Sequence, residues 1–200
     1  MLTAYIGMGA NLPSPAGPPE TTLATAVSRL GSLGRIVGRS SLYSTKPVGF
    51  ADQPRFLNAV VALETRLAPQ ALLDHLLAIE LEFGRDRSTG ILNGPRTLDL
   101  DILMLGDLRI HESGLEIPHP HLAERTFVLI PLHEVAPQAV DPRTLKTMSQ
   151  LLQTILEHSE SEAHAVVPIQ SGIWRPGAGS GAARADVPPG TESSEPDPHR

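Results

Sequence analysis

The chain has 200 residues, 40% of them hydrophobic and only 4% aromatic, so one ordinary core built mostly from Leu, Val, Ile and Ala is expected. The absence of cysteine excludes disulfide scaffolds, cysteine–zinc sites and thiol catalysis. A formal charge of −6 argues against general affinity for nucleic acid or anionic membrane.

Leu2 to Met8 is a short apolar run that ends in the turn cluster Gly9-Ala10-Asn11-Leu12-Pro13. No apolar run approaches the about 18 residues of a membrane span. The first residues carry no charged and apolar signal pattern, so a soluble cytoplasmic protein is expected. Pro18 and Pro19 open a helix to about Leu30, with Leu23, Ala26, Val27 and Leu30 on one face. Ile36 to Tyr43 reads as a strand, Thr45 to Pro54 as a Pro/Gly loop, and Phe56 to Glu64 as a second clear strand. Pro69 to Phe83 has Leu72, Leu73, Leu76, Ile79 and Phe83 at helical spacing and is stopped by Gly84. Arg85 to Pro95 is a polar loop, and Leu98 to Leu105 a strand. Helices are expected at Phe127–Val135 and Thr147–His158, and a last strand at Ala165–Ile169. The pattern implies α+β, with helices packed on a mostly antiparallel sheet.

From Arg175 to Arg200 there are five Pro and four Gly, and Val187 is the only sizeable apolar residue. Such a segment cannot offset its ordering entropy by burial. The expected organisation is therefore a folded domain over residues 1–170 and a disordered tail over 175–200.

Asp99 and Asp101 alternate with Leu98, Leu100 and Ile102, so the two carboxylates share one strand face. Asp is disfavoured in strands. Hard oxygens paired in this way suit Mg²⁺ with bound phosphates; a solvated acidic face is the competing account. Arg85 and Arg87 precede the pair, and Arg96 follows Gly94-Pro95 directly before it. Guanidinium forks match phosphate oxygens, so the three either clamp a polyphosphate or form a solvated basic loop. His119 and His121 flank Pro120, with Arg125 four residues on; they are candidate metal ligands or phosphate donors, or an incidental surface turn.

Phe56 and Asn58 share a face opposite Leu57, Ala59, Val61 and Leu63. Asn can bond both edges of an amide-like heterocycle while Phe stacks on its plane; a core Phe beside a capping Asn is the alternative. No P-loop, kinase catalytic-loop set or nucleophile elbow is present. Gly7-Met8-Gly9-Ala10-Asn11-Leu12 fails as a dinucleotide fingerprint, because Leu12 takes the place of the third glycine.

These pieces fall in one order: Tyr5-Ile6-Gly7 with Gly9 and Asn11; Tyr43 with Thr45, Pro47 and Gly49; Asp52-Gln53-Pro54; Phe56-Leu57-Asn58; Glu80 with Gly84 and Arg85; Gly94 through Asp101; Ile117-Pro118-His119; Arg125 with Phe127. The set resembles the 6-hydroxymethyl-7,8-dihydropterin pyrophosphokinases of folate biosynthesis, over about residues 2–170. The resemblance implies a ferredoxin-like α+β fold. It also implies transfer of pyrophosphate from ATP to the hydroxymethyl group of the reduced pterin, leaving AMP. Asp99 and Asp101 would hold two Mg²⁺ ions. Arg85, Arg87, Arg96, His119 and Arg125 would face the nucleotide phosphates, Arg87 and Arg96 with catalytic roles, and Glu80 and Ile102 would lie near the nucleoside. Thr45, Val48, Phe56, Asn58 and Phe127 would form the pterin pocket, the two Phe rings sandwiching the pterin.

The chain departs from that pattern at Leu92-Asn93, where the family has Arg-Trp, and at Gly114, Glu116 and Pro120. Residues 85–95 are expected to act as a lid that closes less readily for want of the aromatic. Two rival readings are a metal-dependent phosphoesterase built on Asp99, Asp101, His119 and His121, and a pterin or nucleotide carrier without turnover.

Overall fold

The computed structural model describes residues 1–50, 52–86, 94–158 and 165–177. Among these described residues, eight strands and four helices follow in chain order. They are β1 (Leu2–Ala10), α1 (Pro19–Leu30), β2 (Arg35–Arg39), β3 (Leu42–Thr45), β4 (Phe56–Thr65) and α2 (Pro69–Glu82). After these come β5 (Asp99–Leu105), β6 (Ile110–Glu112), β7 (Leu115–Ile117), α3 (Thr126–Val135), α4 (Met148–His158) and β8 (Val166–Ile169). None of the described helices is long and apolar enough to cross a membrane.

The main sheet runs β5-β1-β4-β3-β8, with β2 also on β4, and every pairing is antiparallel. With β2 and β3 counted as one interrupted strand, the order through β5 is β-α-β-β-α-β, and with β1 between β4 and β5 it is ferredoxin-like, as expected. Helices cover both faces. Ala59, Val61 and Leu63 of β4 and Leu100 and Ile102 of β5 pack with Leu23, Leu30, Leu72 and Leu76 of α1 and α2. Val60 and Leu103 point the other way, toward Leu129 and Leu132 of α3 and Met148 and Leu151 of α4. The period of two along β4 and β5 therefore sorts one sheet into two cores. The site occupies the α3 face, beyond the end of the second core.

Three local features differ from the sequence expectation. The strand expected over Ile36–Tyr43 is broken into β2 and β3. Ser40 causes the break: it is fully buried, its N–H and Oγ both bond to Val60 of β4, and its hydroxyl also donates to the Ser41 carbonyl. The β6–β7 hairpin was not expected, since three-residue strands are too short to show alternation. Packing also continues past the expected domain end at residue 170. Trp174 is 2% exposed, its Nε1–H donates to the Ser40 carbonyl at 2.8 Å, and the Arg39 guanidinium lies 5.0 Å from the ring centroid. Gly177 then bridges to Arg39. The expected tail from residue 178 on, and residues 87–93 of the expected lid, lie outside the described residues.

Candidate functional site

β1 lies between β4 and β5, and its two glycines open the cleft. Gly9 pairs with Asn58 on one side and Asp99 on the other, and Gly7 pairs with Asp101. A Cβ on Gly9 would sit 2.9 Å from Asn58 Oδ1 and 3.8 Å from Asp99 Cβ. A side chain there would fill the space between the amide and the carboxylates. The Gly7-x-Gly9 pair, which fails as a dinucleotide motif, is thus the floor of the site.

One cavity brings together ten of the fourteen residues that the family resemblance assigns to the site. Thr45, Val48, Phe56, Asn58 and Phe127 line one end, and Arg96, Asp99, Asp101, His119 and Arg125 also line it. Lys46, Val60, Leu103 and Val128 line it as well, and the sequence reading missed them. Val60 and Leu103 follow Asn58 and Asp101 at strand spacing, so their placement was readable from the period of two. Lys46 stands in a loop and carries no such signal.

Asp99 is held by two arginines. Arg85 Nη1 bonds to its Oδ1, and Arg96 Nη1 donates to its Oδ2 at 2.7 Å. Arg85 also donates to the Leu98 carbonyl at 2.8 Å. The end of α2 aims it there: Gly84 takes a left-handed φ of +80°, and the Arg85 N–H returns to the Glu80 carbonyl at 3.0 Å. The expected phosphate arginines and the expected metal carboxylate thus neutralise one another in the free protein. Arg96 and Arg125 also stand over the two pocket rings, 5.4 Å from Phe56 and 5.8 Å from Phe127.

Glu80 and Ile102, expected near the nucleoside, sit on the α1/α2 side of β5. Ile102 is on the α1/α2 face of β5, opposite Asp101, and is buried in that core. Glu80 is 2% exposed; its Oε1 accepts the Leu100 N–H at 2.8 Å and lies 3.4 Å from Arg85. Neither lines the cavity. Glu80 instead braces β5 and Arg85 from behind. Arg87 lies outside the described residues.

Asn11 ties the two loops together. Its Nδ2 donates to Gln53 Oε1 at 2.9 Å and the Pro54 carbonyl at 3.0 Å, while its Oδ1 accepts the Arg96 N–H at 2.8 Å. On the aromatic side, Asn58 Nδ2 donates to Thr45 Oγ1 at 2.7 Å, which orients the amide. Helix α3, which carries Phe127, is fastened to β3 by Glu134: its carboxylate accepts the Ser41 N–H, the Ser41 hydroxyl and the Tyr43 hydroxyl at 2.8–2.9 Å. Burial, then Glu134, raises the Tyr43 pKa, so the phenol keeps its proton.

His119 Nδ1 accepts the His121 N–H at 3.1 Å, so in the neutral ring Nε2 carries the proton and donates. Burial first, then the Arg125 and His121 charges, push its pKa down from 6.5 to about 4. Between those two values the unfolded chain binds the proton and the folded one does not. Stability should therefore fall as pH drops from 6.5 toward 4. His119→Gln should flatten that stretch of a melting-temperature-against-pH curve. An unchanged slope would assign the acid loss to other groups.

A carboxylate–arginine cleft joined to an aromatic–amide pocket, on an α+β sheet, defines an enzyme that handles a polyphosphate together with a flat heterocycle. The comparisons narrow this class. Residues 5–137 match the family described as 7,8-dihydro-6-hydroxymethylpterin-pyrophosphokinase (HPPK), and the chain belongs to that family. The 2-amino-4-hydroxy-6-hydroxymethyldihydropteridine pyrophosphokinase of Pseudomonas aeruginosa is 49% identical over 133 residues, 66% of this chain and 80% of the relative. The Haemophilus influenzae protein of the same name is 42% identical over 158 residues, 79% of this chain and 96% of the relative. The crystal structure of a doubly substituted variant of Plasmodium falciparum HPPK-DHPS with pterin and p-hydroxybenzoate superimposes with a TM-score of 0.67 at 16% identity, covering 85% of this chain. The chain spans about half of that longer protein (48%), so this likeness speaks to the fold alone.

Proposed function

We propose that this cleft transfers the terminal pyrophosphoryl group of ATP to the hydroxymethyl oxygen of 6-hydroxymethyl-7,8-dihydropterin, giving AMP and the pterin diphosphate, a step of folate biosynthesis. One observation carries the residue assignment: Asp99 and Asp101 share a single cavity with Thr45, Phe56, Asn58 and Phe127, across the glycine floor of β1, in a chain of the HPPK family.

Asp99 and Asp101 are the residues that would hold Mg²⁺, two ions in our reading. The donor set fits that metal. Two hard carboxylates face the cavity, and among the described residues no group of three or more His, Cys, Asp or Glu could cage an ion. Mg²⁺ prefers such a partial protein shell, completed by phosphate oxygens and water. Bound there, it would neutralise triphosphate charge and act as a Lewis acid.

The chain's own groups supply orientation and electrostatics. Arg96, Arg125 and Arg85 would contact the phosphates, with Arg85 and Arg96 turning from Asp99 as ATP enters, and Arg87 would join them. The His119 Nε2–H is a neutral donor to the same group. Phe56 and Phe127 would hold the pterin plane and Asn58 its amide edge. Positioning of the hydroxymethyl oxygen against the phosphorus then accounts for most of the rate.

Chromatography for AMP tests the function. AMP should form only when ATP, Mg²⁺ and the pterin are all present. Inorganic phosphate released without pterin would favour a phosphoesterase, and binding of both ligands without AMP would favour a carrier. The pocket assignment has its own test. Asn58→Ala should weaken pterin binding by about tenfold or more, since a lost buried hydrogen bond costs about 1–3 kcal/mol, and leave ATP affinity unchanged. Thr45→Val, which keeps the Asn58 amide and removes the hydroxyl that orients it, should give a smaller loss in the same calorimetric titration. Unchanged pterin affinity in both would move Asn58 to a structural role.

A further inference from the structure

We propose that Arg143 is a positioning residue for the nucleotide side of this cleft: it clamps the His119–His121 turn by two carbonyls and thereby sets the direction in which the His119 imidazole donates. The proposal rests on the reading of His119 as a phosphate donor.

Arg143 lies beyond residue 137, where the family match ends. Its Nη2 donates to the His119 carbonyl at 3.1 Å and its Nη1 reaches the Pro120 carbonyl at 3.4 Å. The turn has supports of its own: the His121 N–H donates to His119 Nδ1 at 3.1 Å and the Glu124 N–H to the His121 carbonyl at 3.2 Å. The His119 N–H donates to the Leu103 carbonyl at 2.9 Å, and the His119 carbonyl also accepts the Leu122 N–H at 3.0 Å. Arg143 does not itself line the cavity. It grips the carbonyls of two successive peptides, His119–Pro120 and Pro120–His121, and so holds the backbone that carries the imidazole and presents the His121 N–H to its Nδ1.

The arginine is itself held. Asp141 is fully buried; its Oδ1 accepts the Arg143 N–H at 2.9 Å and lies 3.7 Å from Arg143 Nε, and its Oδ2 accepts the Thr144 hydroxyl at 3.1 Å. The Asp141 backbone closes the loop, accepting the Leu145 N–H at 2.8 Å and donating to the Lys146 carbonyl at 2.9 Å. Among the described residues Arg143 Nε is buried without a hydrogen-bond partner. It faces the Asp141 carboxylate as an ion pair, which leaves both terminal nitrogens for the turn. The same cation adds to the charges that keep His119 neutral, behind burial, Arg125 and His121.

Steady-state kinetics of the full chain test this. Arg143→Met keeps the length of the side chain and removes the clamp. It should raise KM for ATP by about three- to tenfold, the loss expected for one misdirected hydrogen bond, with KM for the pterin changed less than about twofold. Arg143→Lys, which keeps one donor, should recover part of the loss. In a His119→Ala background, Arg143→Met should add almost nothing, since both changes act through one ring. Additive effects in the double variant, or equal rises in both KM values, would overturn the proposal, as would an unchanged KM for ATP in Arg143→Met. A normal KM for ATP in His119→Ala alone would overturn the phosphate reading of His119, a failure visible separately from the others.

Discussion

Asp101→Ala and Asp99→Ala should each lower kcat by at least about 10³-fold at saturating ATP, pterin and Mg²⁺, because an arrangement that neutralises phosphate charge contributes several kcal/mol to the barrier. Their effects on folding should differ from what the bare sequence implies. Two like charges on one strand suggest that removing either relieves repulsion and leaves the fold intact. The structure reverses this for Asp99, whose two oxygens are taken by Arg85 and Arg96. Asp99→Ala leaves two mostly buried guanidiniums without their shared carboxylate. The cost should be about 1–3 kcal/mol, below that of a fully buried pair because each arginine keeps some solvent. Asp99→Asn, which preserves volume and one acceptor, should lose activity as fully with a smaller loss of stability. Denaturant melts and initial rates on the same preparations separate the two effects. Near-normal turnover in Asp101→Ala would remove the strand pair from the chemistry.

The second expected result concerns the end of the ordered chain. Trp174→Ala should destabilise the protein by about 3–5 kcal/mol, as for other large-to-small changes of buried aromatics, and lower Tm by roughly 10 °C or more. The indole is buried in the α1/α2-side core, bonds the Ser40 carbonyl and lies under Arg39. It therefore closes the gap that the β2–β3 break leaves. Ser171 supports it, its hydroxyl accepting the Trp174 N–H at 2.8 Å and bonding to Glu20 of α1. Truncation after Gln170, which removes residues 171–200, should match Trp174→Ala, whereas truncation after Gly177 should leave Tm and kinetics as they are. Residues 178–200 contain one sizeable apolar side chain, Val187, and have little to bury. A large loss of stability on truncation after Gly177 would show that the tail docks.

The elements, and the sides of β4 and β5 that carry Asn58 and Asp101, could be read without coordinates, for a physical reason: both are local patterns. Alternation along Asp99–Leu103 and Phe56–Val60 sorts carboxylates and pocket residues from core residues by the period of two, and the two Pro-opened helices show their apolar faces at a period near 3.6. The family resemblance added the order of the motifs. What lay beyond reach depends on contacts distant in sequence. Only the position of β1 between β4 and β5 makes Gly7 and Gly9 a floor that joins two half-sites. The pairing of Asp99 with Arg85, 14 residues away, and the return of Trp174 to Ser40, 134 residues away, are likewise choices of the folded chain. Glu80 shows the limit most directly. Its position on α2 is legible from periodicity, yet whether its carboxylate meets a ligand or the Leu100 N–H is decided by which face of the sheet that helix covers. A strand's alternation divides residues between two faces, and only the packing of helices on those faces tells which one is left open to solvent.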